Sequence, residues 1–138
     1  MRLRRDAKIE LISRVPLFAG CSRRELGRIA AIADELHLAP GSELMREGAH
    51  GGEFCVLVEG SVDVRRRGRS VRTLSAGDFF GEIALLTDAP RTATVTASQH
   101  VRMLVVERGA FRRLLEDVPA IRDKVLEALA ARTAPDVA

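Results

Sequence analysis

The sequence contains no tryptophan and no tyrosine, and only two cysteines and three histidines in 138 residues. Without Trp or Tyr, platforms for stacking nucleic-acid bases are scarce, which argues against a nucleic-acid partner. Cys21 and Cys55 have neither metal-type nor redox spacing. Cys55 sits in an apolar strand pattern and reads as a small buried hydrophobe. His37, His50 and His100 are scattered. No His-x-His pair of a metal-binding barrel is present, so they read as surface or loop residues. No apolar run approaches the roughly 18 residues of a membrane helix. The basic start "MRLRRDAK" leads into "IELISRVPLF", which Glu10, Arg14 and Pro16 interrupt. No signal-peptide core follows, and a cytoplasmic location is expected. Nucleophile elbow, P-loop and dinucleotide fingerprint are all missing, so the chain reads as a non-enzyme without a metal or cofactor.

What is present suits one domain with a real core, since 46% of the residues are hydrophobic. The formal net charge is +3, and Arg supplies most of the cations. They cluster once, in "RRRGRSVR" from Arg65 to Arg72. The reading adopted for that cluster is a solvated hairpin tip rather than a patch for acidic partners.

The periodicity divides the chain into three parts. Residues 1–36 read as two helices. The first carries Leu3, Ile9, Leu11 and Ile12 and stops at Pro16. The second opens with a Ser22–Glu25 capping box and shows a stripe of Leu26, Ile29, Ala30, Ala33 and Leu36. Residues 37–107 change to short strands punctuated by glycine. Phe54 to Val58 is apolar on both alternating faces, so that strand is covered on both sides. Arg67-Gly68 reads as a hairpin tip, Ala76-Gly77-Asp78 as a turn, and Val101 to Glu107 as a last strand. Residues 108–132 return to helix, with Phe111, Leu114 and Leu115 first. Pro119 then opens a helix carrying Ile121, Val125, Leu126 and Leu129 on one side. Residues 133–138 read as a loose tail. Helices, then strands, then helices give an α+β layout around a small barrel or jelly roll.

One segment carries chemistry: "FFGEIALLTDAPRTATVTA", Phe79 to Ala97. Gly81 permits close approach of backbone and ligand. Ile83 to Leu86 is long enough for one turn whose first amides favour an anion. Pro90 positions the chain, and Arg91 delivers a permanent charge with a planar fork of donors that matches a phosphodiester. Glu82, acceptor-only when ionised, suits a neutral hydroxyl. One end of the segment thus wants an anion and the other a sugar-like hydroxyl. The bland alternative is a structural Glu82–Arg91 ion pair across a barrel corner.

"FGEIALLTDAPRTATV" resembles the phosphate-binding cassette of the cyclic nucleotide-binding domain family. The flanking "VPLF", "REGAHGGEFCVLVEGSVDV" and "LSAGDFFGE" fit as well, so the resemblance covers nearly the whole chain. It implies an eight-stranded antiparallel β-roll flanked by N- and C-terminal helices, with a cassette at residues 80–95, binding cyclic AMP or cyclic GMP. By that resemblance Glu82 accepts from the ribose 2′-hydroxyl and Arg91 pairs with the exocyclic phosphate oxygens. Gly81, Ile83, Ala84 and Leu85 present backbone amides. Phe80 and Pro90 complete the cassette's contact set, Thr92 and Ala93 follow with phosphate and base contacts, and Val71 walls the base. Thr at position 92 accompanies cyclic GMP recognition in some members and cyclic AMP in others. Both ligands stay open, with cyclic AMP favoured as the commoner one. The family's C-terminal lid would be Pro119 to Arg132, with Leu126, Leu129 and Arg132 but no aromatic cap.

The expected function is a non-catalytic sensor module whose terminal helices rearrange on binding, and whose output depends on differential affinity for two arrangements. Those helices would also serve a homodimer or an effector protein. Two alternatives stand beside it. One is the sensory part of a catabolite-activator-type regulator, which needs a helix-turn-helix for which no room follows before Ala138. The other is a ligand-free scaffold of the same fold.

Overall fold

The structure is a computed structural model that describes residues 2–81 and 89–133. Helix α1 (Arg2–Ser13) is followed by a 3-10 turn (Pro16–Phe18) and helix α2 (Arg23–Ile32). Eight strands come next: β1 (Ala33–Leu38), β2 (Glu43–Met45), β3 (Glu53–Glu59), β4 (Ser61–Arg66), β5 (Arg69–Ser75), β6 (Phe79–Phe80), β7 (Thr94–Ala97) and β8 (Val101–Glu107). Helices α3 (Arg108–Asp117) and α4 (Pro119–Thr133) close the described chain. The strands form two four-stranded sheets, ordered β1-β8-β3-β6 and β2-β7-β4-β5, and every pairing is antiparallel. The expected α+β layout, an eight-stranded antiparallel roll with helices before and after it, is therefore the observed one.

Strand β3 explains how the layers hold together. Its alternate residues face different cores, which is why none of Phe54 to Leu57 is polar. Phe54 and Val56 point to the helices and join Ile12, Phe18, Ile29, Leu104, Phe111 and Ile121. Cys55 and Leu57 point between the sheets and meet Val62, Leu74, Phe80, Val95 and Met103. Phe54 stacks on Phe111 of α3 with centroids 4.1 Å apart and planes 17° apart. Each such buried side chain contributes about 1.5–3 kcal/mol relative to exposure.

Local signals place the ends. The capping box is formed: the Glu25 amide donates to Ser22 Oγ at 3.1 Å, and the Ser22 amide donates to Glu25 Oε1 at 2.7 Å. At the β4–β5 hairpin, Arg67 (φ 54°) and Gly68 (φ 77°) both take positive φ, as a two-residue type I′ turn requires.

Two expectations are corrected. Helix α2 ends at Ile32 rather than at residue 36. From Ala33 the chain runs extended and pairs with β8 over six positions, Ala33 with Val106 through Leu38 with Val101. Tertiary pairing overrides the helical stripe there, and Leu36 is left 43% exposed. In α4, Ile121 and Val125 are fully buried but Leu126 is 47% exposed, outside the buried stripe. The helix includes Thr133; the tail expected beyond it lies outside the described residues.

Candidate ligand-binding site

Arg91 is the one buried charged residue among the described residues, with 5% of its surface exposed. A guanidinium keeps its charge at any accessible pH, so burial must be compensated by acceptors. Two backbone carbonyls are among the acceptors. Nη1 donates to Gly81 O at 3.0 Å, and Nη2 donates to Glu53 O at 2.8 Å. The Arg91 backbone is held as well: its amide donates to Ala49 O at 2.8 Å, and its carbonyl accepts from the Gly48 amide at 2.8 Å. The loop joining β2 to β3 thus clamps the main chain, while the start of β3 and the residue after β6 hold the side chain.

Two glycines leave room for the fork. A Cβ on Gly51 would lie 2.0 Å from Arg91 Nε and 2.4 Å from Cζ and Nη2. Gly81 has φ 95°, and a Cβ there would lie 2.8 Å from Glu53 O and 3.1 Å from Arg91 Nη1. A side chain at Gly51 would push the guanidinium out, and one at Gly81 would press on the Glu53 carbonyl that holds it. Nearby, Cys55 pairs with Phe80 across β3 and β6. Burial pushes the Cys55 thiol up to about 12, against the downward pull of Arg91, so it stays a neutral thiol.

The segment after Arg91 is tied to the basic hairpin. Thr92 is exposed, and its carbonyl accepts from Arg66 Nε at 3.2 Å. Thr94 Oγ1 accepts from the Glu47 amide at 3.0 Å, and Glu47 Oε1 accepts from the Arg67 amide at 2.8 Å. The hairpin tip is therefore anchored to the Arg91 region instead of simply solvated, although its side chains are largely exposed.

The structure brings together Gly81 and Arg91, with Phe80 next in the chain and 4% exposed. Ala93 is 7% exposed and Pro90 is exposed. Val71 stands apart on β5, at the outer edge of its sheet, and is 46% exposed. It is the extra residue of a bulge between the Val64–Arg72 and Arg65–Ser70 pairs. Glu82, Ile83, Ala84 and Leu85 lie outside the described residues.

Sequence reasoning assigned no site role to Gly51, Glu53 or the Gly48–Ala49 peptide. Gly51 carried a signal, a glycine pair directly before an apolar strand, which marks close backbone approach. Glu53 carried none, because its contribution is a carbonyl that every residue type possesses.

The architecture is a two-sheet roll with helices on both sides and a charged fork held by glycine-lined backbone. The family model described as "Cyclic nucleotide-binding domain" matches residues 35–118, more than half of the chain, and the chain belongs to that family. It is 34% identical over 117 residues to a cAMP-dependent protein kinase regulatory subunit of Yarrowia lipolytica, covering 83% of this chain and 31% of that protein. It is also 34% identical over 121 residues to a cGMP-dependent protein kinase of Caenorhabditis briggsae, covering 83% of this chain and 16% of that one. Among solved structures, it resembles the regulatory subunit of a cAMP-independent protein kinase A from Trypanosoma brucei, in a form with three substitutions bound to cAMP in the A site. That match has a TM-score of 0.85 at 26% identity and covers 99% of this chain and 50% of the other. The chain thus spans a third or less of these curated relatives. Among the described residues no helix is long and apolar enough to cross a membrane.

Proposed function

We propose that this domain is a non-catalytic sensor that binds a cyclic nucleotide, cyclic AMP in preference to cyclic GMP. The observation that carries this reading is the buried Arg91 fork, held by Gly81 O and Glu53 O inside a family-matched roll. The carbonyls that hold the fork keep a permanent cation in a buried position, from which it can turn its donors to an arriving anion. In this reading Arg91 meets the phosphate, Glu82 the ribose 2′-hydroxyl, and the amides of Gly81, Ile83, Ala84 and Leu85 the sugar-phosphate. Phe80, Pro90, Thr92, Ala93 and Val71 complete the ligand's surroundings.

The trypanosomal comparison supports weight on the arginine. That subunit belongs to a kinase called cAMP-independent, and the form bound to cAMP carries an introduced arginine among its three substitutions. The present chain has Arg91 in place. The relatives include both cAMP- and cGMP-dependent kinases, so the preference for cyclic AMP is the finer part of the proposal. The signal would leave through the terminal helices, to a second copy or to an effector protein such as a kinase.

The test is calorimetric titration of cyclic AMP and cyclic GMP into protein unfolded and refolded to strip carried-over ligand, with Arg91→Ala in parallel. The expected result is micromolar or tighter binding of cyclic AMP, weakened about 30-fold or more in the variant, since truncating a buried charge partner costs about 2–5 kcal/mol. Absence of heat and of any melting shift with either nucleotide would overturn the reading in favour of the scaffold alternative.

A further inference from the structure

We propose that the β4–β5 hairpin docks an extended acidic segment of a partner protein, through a row of arginines made by Arg66, Arg69 and Arg72. The strand register sorts the hairpin's charges by face. Arg66 lies opposite Arg69, and Arg72 lies opposite Val64. Directly opposed residues share a face, and so do Val64 and Arg66, two apart on β4. The three arginines therefore stand on one face. The other face carries Asp63, Arg65 and Ser70 and is neutralised from within: Asp63 accepts from Arg65 Nε at 2.6 Å and from the Ser70 hydroxyl. The other carboxylate at the hairpin, Glu47, accepts from the Arg67 amide at the tip. Among the described residues none of Arg66, Arg69 and Arg72 pairs with a carboxylate. Arg66 has a side-chain bond to the Thr92 carbonyl, which leaves its charge in place.

Local energetics separate this arrangement from an ordinary solvated tip. Like charges directly opposite each other destabilise a strand pair, yet Arg66 and Arg69 are placed so. Arg67 has φ 54°, the only positive φ outside glycine among the described residues, at a turn position where Asn, Asp or Gly is usual. Charges that merely guard an edge strand from pairing belong on β5, the edge of its sheet. Edge protection leaves Arg66 unexplained, because β4 lies inside the sheet between β7 and β5. The hairpin thus gives up local stability to concentrate positive charge on one face, which points to use of that charge by a partner.

The row also selects the partner's chemistry. Guanidinium forks match carboxylates and phosphates. With Val71 bulged out, Arg69 and Arg72 are two ladder positions apart, about 7 Å at about 3.4 Å per residue. An extended chain with Asp or Glu at alternate positions repeats its carboxylates at that spacing along one side. Nucleic-acid bases would find no aromatic side chain on the hairpin to stack on. A bilayer would find Val71, 46% exposed, as the one apolar residue to insert near the tip. A polypeptide carrying alternate carboxylates is the polyanion that fits.

The test follows the fluorescence anisotropy of a labelled peptide of repeated Glu-Thr units on titration with the full chain at low salt. Two variants run in parallel: Arg69→Glu/Arg72→Glu in the hairpin, and Arg23→Glu/Arg24→Glu on α2 as an equal change of charge elsewhere. The expected result is saturable binding that weakens with added salt. It should fall about ten-fold or more in the hairpin variant and less than about three-fold in the α2 variant. Arg69 is exposed, so Arg69→Glu alone decides if the double variant does not fold. The proposal is overturned if the peptide does not saturate, if the hairpin variant binds it as tightly as wild type, or if the α2 variant loses as much. Tighter binding of oligothymidylate or of phosphatidylserine vesicles than of the peptide would overturn it too, since the arginines would then serve a nucleic acid or a membrane.

Discussion

Replacing Gly51 by Ala puts a methyl group 2.0 Å from Arg91 Nε. No backbone adjustment of a few tenths of an ångström removes such an overlap, so the fork must leave Gly81 O and Glu53 O. Each bond from a charged donor contributes about 1.5–3 kcal/mol, and water recovers part of that once the guanidinium swings out. The expected net destabilisation is about 2–3 kcal/mol. At a urea slope of about 1–3 kcal/mol/M, the unfolding midpoint falls by about 1–2 M. Gly52→Ala is the matched control, because a Cβ at Gly52 meets nothing within 4 Å. Both substitutions reduce unfolded-chain entropy alike, so the difference between their midpoints isolates the arginine. In an Arg91→Ala background the cost of Gly51→Ala should shrink to about 0.5 kcal/mol or less. Equal midpoints for Gly51→Ala and Gly52→Ala, or full additivity with Arg91→Ala, would refute the cradle.

Ser22→Ala removes the capping box and should lower stability by about 1 kcal/mol, read by urea unfolding with no effect on ligand binding. Acid should weaken the fold through Glu35, whose carboxyl is held below its usual range by the hydrogen bond from Arg102. Because the folded-state value is the lower one, this stability is present above the unfolded carboxylate value, about 4.3, and is lost as pH falls through the folded value. Arg102→Gln should flatten the stability profile in that acidic window and leave it parallel to wild type above it; an unchanged acid limb would disprove the assignment. In native protein a thiol reagent should modify Cys21, which is partly exposed, and spare Cys55, which burial pushes up to about 12. Two thiols should react after denaturation, and prompt reaction of both in the native state would contradict the described core.

Much of the fold was legible because its signals are local. The capping box at Ser22, the positive-φ pair at Arg67-Gly68 and the doubly apolar strand at Phe54 to Leu57 each follow from neighbouring residues. The misplaced boundary at Ala33 has the opposite origin. Its residues keep a helical apolar stripe, and only pairing with β8, some seventy residues away, turns them into a strand. The site divides in the same way. Arg91 stood out by its charge and spacing, but the carbonyls of Gly81 and Glu53 that hold it and the space left by Gly51 did not. Main-chain acceptors have no side-chain signature, and empty space leaves only a glycine as its trace.

The position of Glu53 suggests why the cradle sits where it does. Its carbonyl holds Arg91, and the next residue, Phe54, stacks on Phe111 of α3. The adjoining Gly52 carbonyl accepts from the Arg108 amide at 2.7 Å, at the start of the same helix. In the proposed reading Arg91 and the C-terminal helices thus share three consecutive residues, Gly52 just before β3 and Glu53 and Phe54 at its start. Contiguity alone is not coupling; two helix arrangements of different ligand affinity are also required. Yet close-packed cores transmit displacement instead of absorbing it, and the Phe54 ring has little room to yield at 1% exposure. A movement of the Glu53 carbonyl as Arg91 turns to a phosphate would therefore reach α3 before it reached the β4–β5 hairpin. The hairpin meets the Arg91 segment through the half-buried Arg66 and the exposed Arg67, where water can take up the change.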